Sequence, residues 1–262
     1  MNFSRFQMLF LVGLFFWGVG HPFLALCGEN RPLEILTFSY PPYMEEDGTG
    51  LLPRMIREGA GDSLPEVVFQ VYPRKRVLQM FHSEGKGDLL FLGESRYFPE
   101  LEGSILAEAI LKAKMVMVYR RAAFPDFRAS GLEDFKGYRI ATSLGSNFSE
   151  LFRAVGMVVE ESRMENNLRK LKAGRVDFWH TVDITALEMM EKEFQGVDKG
   201  FAVWEHKPLL VIELVSRKEG PAAVFLETFG RAFREFRAKD GDLRILEDFY
   251  GKGRVPAEVR IP

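Results

Sequence analysis

Two segments about ninety positions apart share one pattern of hydrophobic and polar residues. Leu78–Asp88 reads LQMFHSEGKGD and continues into LLFLG, while Leu168–Asp177 reads LRKLKAGRVD and continues into FWHTV. Each is an amphipathic helical stretch that ends at a glycine (Gly85 or Gly174), followed three residues later by an aspartate and then by a short apolar run typical of a strand. A helix followed by a buried strand is half of a βαβ unit, so the pattern predicts two similar α/β lobes with a ligand-sized cleft between them.

The rest of the chain alternates in the same way, which predicts an α/β protein with largely parallel sheets. Strands are predicted at Leu33–Ser39, Val67–Val71, Leu89–Leu92, Ala113–Arg120, Tyr138–Thr142, Val158–Glu161, Val176–Thr181 and Leu209–Ser216. Helices are predicted at Leu51–Gly59, Arg76–Ser83, Phe148–Val155, Glu165–Ala173, Ile184–Phe194, Ala222–Lys239 and Leu243–Phe249. We expect Leu89–Leu92 and Val176–Thr181 to belong to separate sheets, one per lobe. Asp88 and Asp177 are interpreted as structural residues that fix the turn after each helix.

The first 27 residues have the pattern of a signal peptide. Arg5 supplies a positive start, and Met8–Gly18 is an apolar run too short to span a bilayer comfortably. Ala25 and Cys27 place small side chains at the −3 and −1 positions of a cleavage site, which predicts an exported mature chain that starts at Gly28. The alternative is a lipid anchor on Cys27, although Leu26 stands where a lipoprotein signal has Gly, Ala or Ser.

Composition narrows the classes of function. Of 262 residues, 47% are hydrophobic and 27% are charged, with a net charge of −2, so no basic surface for nucleic acid is indicated. The chain has one cysteine, which excludes a disulfide framework. No HExxH or GxSxG motif occurs, and His82, His180 and His206 lack metal-ligand spacing. We therefore expect a protein without a cofactor or a metal that is not an enzyme.

Five motifs, in order, resemble the family-3 extracellular solute-binding proteins of the polar amino-acid type. They are YPPYM with the downstream Asp47–Gly50, PRKRVLQMFHSEGKGD, LEDFKGYRIATSLGS, NLRKLKAGRVD and AKDGDLRILEDFYG. The resemblance implies a type II, two-lobed periplasmic binding protein-like fold whose lobes close around a ligand by hinge motion. It places two hinge-crossing strands near Val116–Arg121 and Leu209–Val215. Lobe 1 would then comprise residues 28–117 plus 213–262, and lobe 2 residues 118–212.

The resemblance also implies positions for ligand contacts in lobe 1. Tyr40 occupies the position of an aromatic residue that stacks on the ligand, with Tyr43 just behind it; the alternative is that both tyrosines cap the sheet edge. The position of a second, opposed aromatic falls near Arg74, whose guanidinium could stack in its place. Arg76 could instead point into the cleft, or this helix start could be solvated.

The predicted strand end at residues 93–96 corresponds to the family's hydroxyl-bearing loop, where Ser95 matches a ligand-binding position. Where amino-acid binders carry an arginine for the ligand carboxylate, this chain has Glu100, so the usual clamp is altered. We expect Arg96 to supply the positive charge. A cationic ligand held by Glu94, Glu100 and Asp183 is the competing hypothesis.

In lobe 2, Gly145, Ser146 and Asn147 precede a predicted helix, and the resemblance implies that their backbone N–H groups bind the ligand's carboxylate. The family's acidic residue for the α-amino group falls at Val182, or at Asp183 if the register shifts by one. His180 is interpreted as a packed or capping residue.

These features predict a monomeric periplasmic binding protein that captures a small polar solute, an amino acid or a related molecule. It would deliver this solute to the inner-membrane permease of an ABC transporter. A periplasmic sensing or accessory module is the first alternative. A dehydratase-type enzyme that uses Glu94 or Glu100 as a general acid is the second.

Overall fold

The protein, seen as a computed structural model, alternates between strands and helices. Residues 31–61, 64–92, 99, 102–194 and 200–261 are described, so the predicted signal segment and residues 94–96 and 100 lie outside this range. The strands are β1 (Leu33–Thr37), β2 (Val67–Val71), β3 (Leu89–Leu92), β4 (Ile105–Arg120), β5 (Arg139–Ser143), β6 (Val158–Ser162), β7 (Phe178–Val182) and β8 (Phe201–Arg217). The helices are α1 (Leu51–Ala60), α2 (Arg74–His82), α3 (Ser149–Ala154), α4 (Met164–Lys172), α5 (Asp183–Phe194), α6 (Pro221–Ala238) and α7 (Gly241–Tyr250). None of these described helices combines the length and the apolar character needed to cross a bilayer.

The strands form two similar parallel halves connected by a long antiparallel pair. The order is β2-β1-β3-β8-β4-β7-β5-β6. β1 pairs in parallel with β2 and β3, and β5 pairs in parallel with β6 and β7. β8 closes the first half against β3 and β4 closes the second against β7, both antiparallel. The expectation that β3 and β7 belong to separate sheets is therefore wrong, because hydrogen bonds through β8 and β4 join them into one.

The connection exists because β4 and β8 are longer than the sequence pattern predicted. They pair from Ile105↔Arg217 to Arg120↔Phe201, with register shifts between Ala109 and Leu111 and between Ala113 and Met115. Such irregularities increase the local twist, and here they separate the portion beside β3 from the portion beside β7. Strand β4 reaches the second half a few residues before the predicted position, Val116–Arg121, since Met115–Tyr119 already pairs with β7.

Each half has its own hydrophobic core. In the first half, Ile35, Leu89 and Leu214 of the sheet share a cluster with Phe229 of α6 and other buried residues. In the second half, the fully buried Trp179 packs with residues of α4 and α5, and Phe178 lies in an aromatic cluster on another part of the sheet. Residues of helices α6 and α7 belong to the cluster of the first half, and the lobe boundaries stay a prediction.

The repeated aspartates perform the same task in both halves. The backbone N–H of Glu34, at the start of β1, donates to Asp88 Oδ2 (2.8 Å), and the N–H of Asp88 donates back to the Glu34 carbonyl (2.9 Å). Arg139, at the start of β5, makes the same two bonds with Asp177, at 2.8 and 2.9 Å. Their structural role is confirmed, and each carboxylate binds the start of the neighbouring parallel strand.

Replacing Asp177 with alanine should lower the free energy of unfolding by about 1–3 kcal/mol. The variant leaves the Arg139 N–H and guanidinium without the acceptor that both now use. Urea unfolding followed by circular dichroism measures the change. Glu150→Ala is the control, because Glu150 is 85% exposed and pairs with Arg153 at the surface, where a salt bridge contributes less than about 1 kcal/mol. Equal losses in both variants would contradict the assigned role.

Candidate functional site

A cavity lies where the two halves of the sheet meet, beyond the carboxyl ends of β1, β5 and β7. The first half contributes Thr37, Phe38, Tyr40, Tyr43, Met44, Leu52, Arg74 and Phe91 to its lining. The second half contributes Thr142, Ser143, Ser146, Asn147, Phe148, His180 and Val182, and the connecting strands contribute Met115, Leu210 and Ile212. Open α/β sheets bind ligands beyond the carboxyl ends of their strands, so this cavity is the candidate binding site.

Tyr40 lies at this cavity and joins the two halves of the protein. It follows β1 in a tight turn, in which Tyr40 and Met44 exchange backbone hydrogen bonds of 2.8 and 3.1 Å. Its hydroxyl lies 3.1 Å from Thr181 Oγ1 of β7 in a hydrogen bond. Beside it, the Thr185 hydroxyl donates to the Pro41 carbonyl at 2.7 Å. The structure thus places Tyr40 where the sequence predicted, and its contact with a ligand stays a prediction.

Tyr43 lines the same cavity from deeper in the first half. Its side chain is buried, and burial raises the pKa of its hydroxyl well above the ordinary value. The Tyr43 hydroxyl lies near that of Tyr250, and the buried Ser143 hydroxyl on the opposite wall lies near that of Tyr40, but among the described residues neither forms a hydrogen bond of normal distance and angle. An unsatisfied buried hydroxyl is costly, so these two groups are suited to a polar ligand atom.

Arg74, rather than Arg76, reaches the cavity. Arg74 begins α2, and its guanidinium carbon lies 5.2 Å from the centre of the Phe38 ring. Burial lowers its pKa, although arginine stays charged at any physiological pH. The guanidinium of Arg76 pairs with Glu84, and Arg76 is not part of the lining. The interpretation that Arg76 points into the cleft is therefore corrected.

The loop before α3 faces the cavity through side chains more than through backbone N–H groups. The N–H of Gly145 donates to Glu161 Oε2 at 2.9 Å, that of Ser146 to the Ser143 carbonyl at 3.0 Å, and that of Phe148 to Ser146 Oγ at 3.2 Å. The prediction of free N–H groups for an anion is therefore wrong for Gly145 and Ser146, and for Asn147 it stays a prediction. Ser146 and Asn147 still line the cavity, whereas Gly145 is not among the lining residues and lies against Lys75 of the first half.

Asp183 does not face the cavity. Both of its carboxylate oxygens accept hydrogen bonds from the Tyr250 hydroxyl, at 3.1 and 3.0 Å, while the preceding residue, Val182, lines the cavity. The register shift that would place this carboxylate in the cleft does not occur. Burial raises the pKa of Asp183 to about 6, an effect that the Tyr250 hydroxyl and the nearby Lys114 partly offset.

A histidine pair, one member of which lines the cavity, was not visible in the sequence. His180 Nε2 and His206 Nδ1 lie 3.1 Å apart, and the His180 ring packs against Phe148 and Phe152. Burial lowers the pKa of His180 well below its usual range and that of His206 to about 4, so both rings are neutral near pH 7. The packed role of His180 is confirmed. Its partner is 26 residues away on β8, and no local spacing rule could have identified it.

Sequence reasoning also missed several polar lining residues. Thr142 and Ser143 end β5, and Thr37 ends β1, so each stands at a strand terminus of the kind that already identified Tyr40. Their position at the end of a strand is the sequence signal that could have identified them as lining residues. Among the described lining residues, Arg74 is the only one with a charged side chain, and no group of three metal-ligating side chains is found in the part of the chain that is described.

No family model matches the chain, and no curated protein matches it in sequence. Among solved structures it is similar to the GluR0 ligand-binding core in complex with L-glutamate, with a TM-score of 0.70 and 14% identity over 84% of this chain and 98% of that one. It is also similar to a mutant of ArgBP from T. maritima, with a TM-score of 0.66 and 19% identity over 84% and 95% of the two chains. A histidine kinase sensor domain with similarity to periplasmic binding proteins gives a TM-score of 0.66 at 19% identity over 84% and 96%. The chain therefore has the two-lobed periplasmic binding protein-like fold that its motifs predicted.

Asp183→Asn should remove a pH-dependent loss of stability. An unfolded aspartate ionises near pH 3.8, whereas Asp183 in the folded protein ionises near 6. The folded state therefore holds the proton more tightly, and the free energy of unfolding of the parent protein falls as the pH rises between these two values. A shift of about two units corresponds to about 3 kcal/mol. Asparagine does not ionise, so the stability of the variant relative to the parent should rise by about 2–3 kcal/mol from pH 4 to pH 7.5 in urea unfolding.

Asp248→Asn provides the control for this pH experiment. Asp248 is 59% exposed and pairs with Arg54 at the surface, so its replacement should change the relative stability by less than about 1 kcal/mol across the same range. A stability difference for Asp183→Asn that does not vary with pH would contradict the buried environment assigned to this carboxylate.

Proposed function

We propose that the protein is a periplasmic solute-binding protein of the family-3 type. It captures a small solute with an anionic group in the cavity between its lobes and delivers that solute to an inner-membrane permease. The fold, the predicted signal peptide and the five motifs support this proposal. The resemblance to solved binding proteins extends over 95–98% of the GluR0 core and of ArgBP, so the whole two-lobed unit is present in this chain.

The main support for the proposal is a cavity whose walls come from both halves of the sheet. Hydrogen bonds between the two halves lie beside this cavity. Tyr40 contacts Thr181 and Pro41 contacts Thr185, each pairing one half with the other beside the cavity. A solute held there touches both lobes at once, so its binding energy stabilises the arrangement in which the lobes meet. This is the property that a transporter component needs in order to report whether it is loaded.

Arg74 is the proposed anchor for the anionic group of the solute. It is the one charged side chain in the described lining, and a partly buried guanidinium binds carboxylates through paired, charge-assisted hydrogen bonds. Arg96, for which the same role was predicted, lies outside the described residues. Both arginines therefore enter the mutational test below.

Binding to a sensor is the second candidate function. One solved structure with this fold is the sensor domain of a histidine kinase, and the same closure of two lobes could be read by a signalling partner. Cross-linking of the solute-loaded protein in isolated inner membranes, followed by mass spectrometry of the trapped partner, distinguishes the two outcomes. A permease supports transport, and a receptor without a permease supports sensing.

Residues 28–262 should be stabilised by a subset of small anionic solutes in a thermal-shift screen. The screen covers amino acids, dicarboxylates, aromatic and branched monocarboxylates, polyamines and sugars. A solute that binds only the folded state adds about 2.7 kcal/mol to its stability at a hundred times the dissociation constant. Mass spectrometry of the incubated hits tests the enzyme alternative, because binding alone returns each solute unchanged. Stabilisation by polyamines alone would contradict the proposal of an anionic solute.

Arg74→Ala should weaken binding of the best anionic hit by about 2–5 kcal/mol, the usual cost of removing one member of a buried charge pair. Isothermal titration calorimetry measures the change. Arg76→Ala is the matched control, because Arg76 lies two residues away on the same helix but pairs with Glu84 outside the cavity. Arg96→Ala tests the second arginine in parallel. Equal affinities in Arg74→Ala and the parent protein would refute Arg74 as the anchor.

A further inference from the structure

We infer that the cavity selects a small carboxylate that has an apolar or aromatic body and carries no ammonium group. The inference rests on the proposed function and narrows its ligand class, from any small anionic solute to deaminated acids. Three independent features of the lining lead to it.

The first feature is the balance of charge. The described lining has one positive side chain, Arg74, and no carboxylate. An α-amino acid brings one negative and one positive group, and only the negative group finds an opposite charge there. Burying an ammonium group without a carboxylate is unfavourable, and an acid of the same shape without that group does not incur this desolvation cost.

The second feature concerns Asp183, a carboxylate that is next to a lining residue in sequence but is not placed to pair with an ammonium group in the cavity. Strand β7 ends at Val182, which lines the cavity, and the next residue begins helix α5 and is not among the lining residues. That residue is Asp183, whose two oxygens both accept from the Tyr250 hydroxyl. An ammonium group in the cavity would therefore meet the methyl groups of Val182 at this position.

The third feature is the chemistry of the remaining walls. Eleven of the eighteen described lining residues are aliphatic, methionine, phenylalanine or tyrosine residues, among them Phe38, Phe91, Phe148 and Ile212. Six of the described lining residues carry a neutral hydroxyl group, and those of Tyr43 and Ser143 are buried without a hydrogen bond of normal distance and angle among the described residues. Hydroxyl groups can donate to carboxylate or keto oxygens, and the rings and branched side chains match a hydrocarbon body.

The test compares three probes that share one hydrocarbon portion and differ in whether they carry a carboxylate, an ammonium group or both. The aromatic series is 3-phenylpropionate, L-phenylalanine and 2-phenylethylamine, and the branched series is 4-methylpentanoate, L-leucine and 3-methylbutylamine. Calorimetry with the mature chain should give a dissociation constant at least about tenfold lower for the acid than for the amino acid of the same series, a difference of about 1.4 kcal/mol. The amine should not bind.

Two variants locate the selection at Val182. Val182→Asp places a carboxylate in the lining and should shift the preference towards the amino acid, whereas the neutral Val182→Asn should not. If neither variant folds, the comparison of probes on the parent protein still decides the matter. Asp183→Asn should leave the ratio of acid to amino-acid affinity unchanged, since this carboxylate lies outside the cavity.

The outcomes separate this inference from the proposed function. If the amino acids bind as tightly as their deaminated partners, or more tightly, the inference is overturned and the proposed function stands. If neither series binds while other anionic solutes of the thermal-shift screen do, the inference again fails alone. If no solute of any class stabilises the mature chain, the proposed function fails with it.

Discussion

The antiparallel pairing of β4 with β8 is the constraint on which the rest of the molecule depends. It runs through both halves of the sheet, so the same two strands carry the cores of both lobes and form part of the cavity wall between them. Its irregularities lie between Ala109 and Met115, where the ladder passes from the neighbourhood of β3 to that of β7. Because the pairing is shared, the spatial relation of the two lobes is set by backbone hydrogen bonds as well as by side-chain contacts across the cleft.

The cavity combines mostly apolar walls with a few polar side chains. Its walls are those of a hydrophobic pocket, yet they carry an arginine and several hydroxyl groups at the ends of strands. Nearby charged groups have partners outside the lining. Arg76 forms a salt bridge with Glu84, Asp183 accepts a hydrogen bond from the Tyr250 hydroxyl, and Glu161 accepts one from the Gly145 N–H. Among the described residues, these charged groups lie near the site but bind partners outside its lining, and Arg74 lies in the lining itself.

The sequence predicted features that depend on local periodicity. The helix, glycine and aspartate unit identified both halves, and Asp88 and Asp177 proved equivalent down to their bonds with the neighbouring strand. The same pattern could not reveal that β4 begins at Ile105, because SILAEAILKAK alternates too irregularly to distinguish a strand from a helix. It also could not show that the Gly145 N–H is taken by a residue sixteen positions away. Such partners are set by the tertiary fold, and so is the choice between Arg74 and Arg76 on one turn of helix.

The paired imidazoles of His180 and His206 have a consequence for proton placement. A neutral imidazole has one N–H and one bare nitrogen, so the 3.1 Å contact between Nε2 of one ring and Nδ1 of the other requires one ring to donate and the other to accept. The tautomers of the two rings are therefore linked: whichever ring gives its proton to the contact fixes where the other must carry its own. Protonation of both rings would set two N–H groups against each other, so the pair can hold at most one additional proton while the contact lasts. Two histidines that are far apart in the sequence therefore share their protons as one coupled pair. This pair connects His180, which lines the cavity, to His206 on β8, the strand that runs between the lobes.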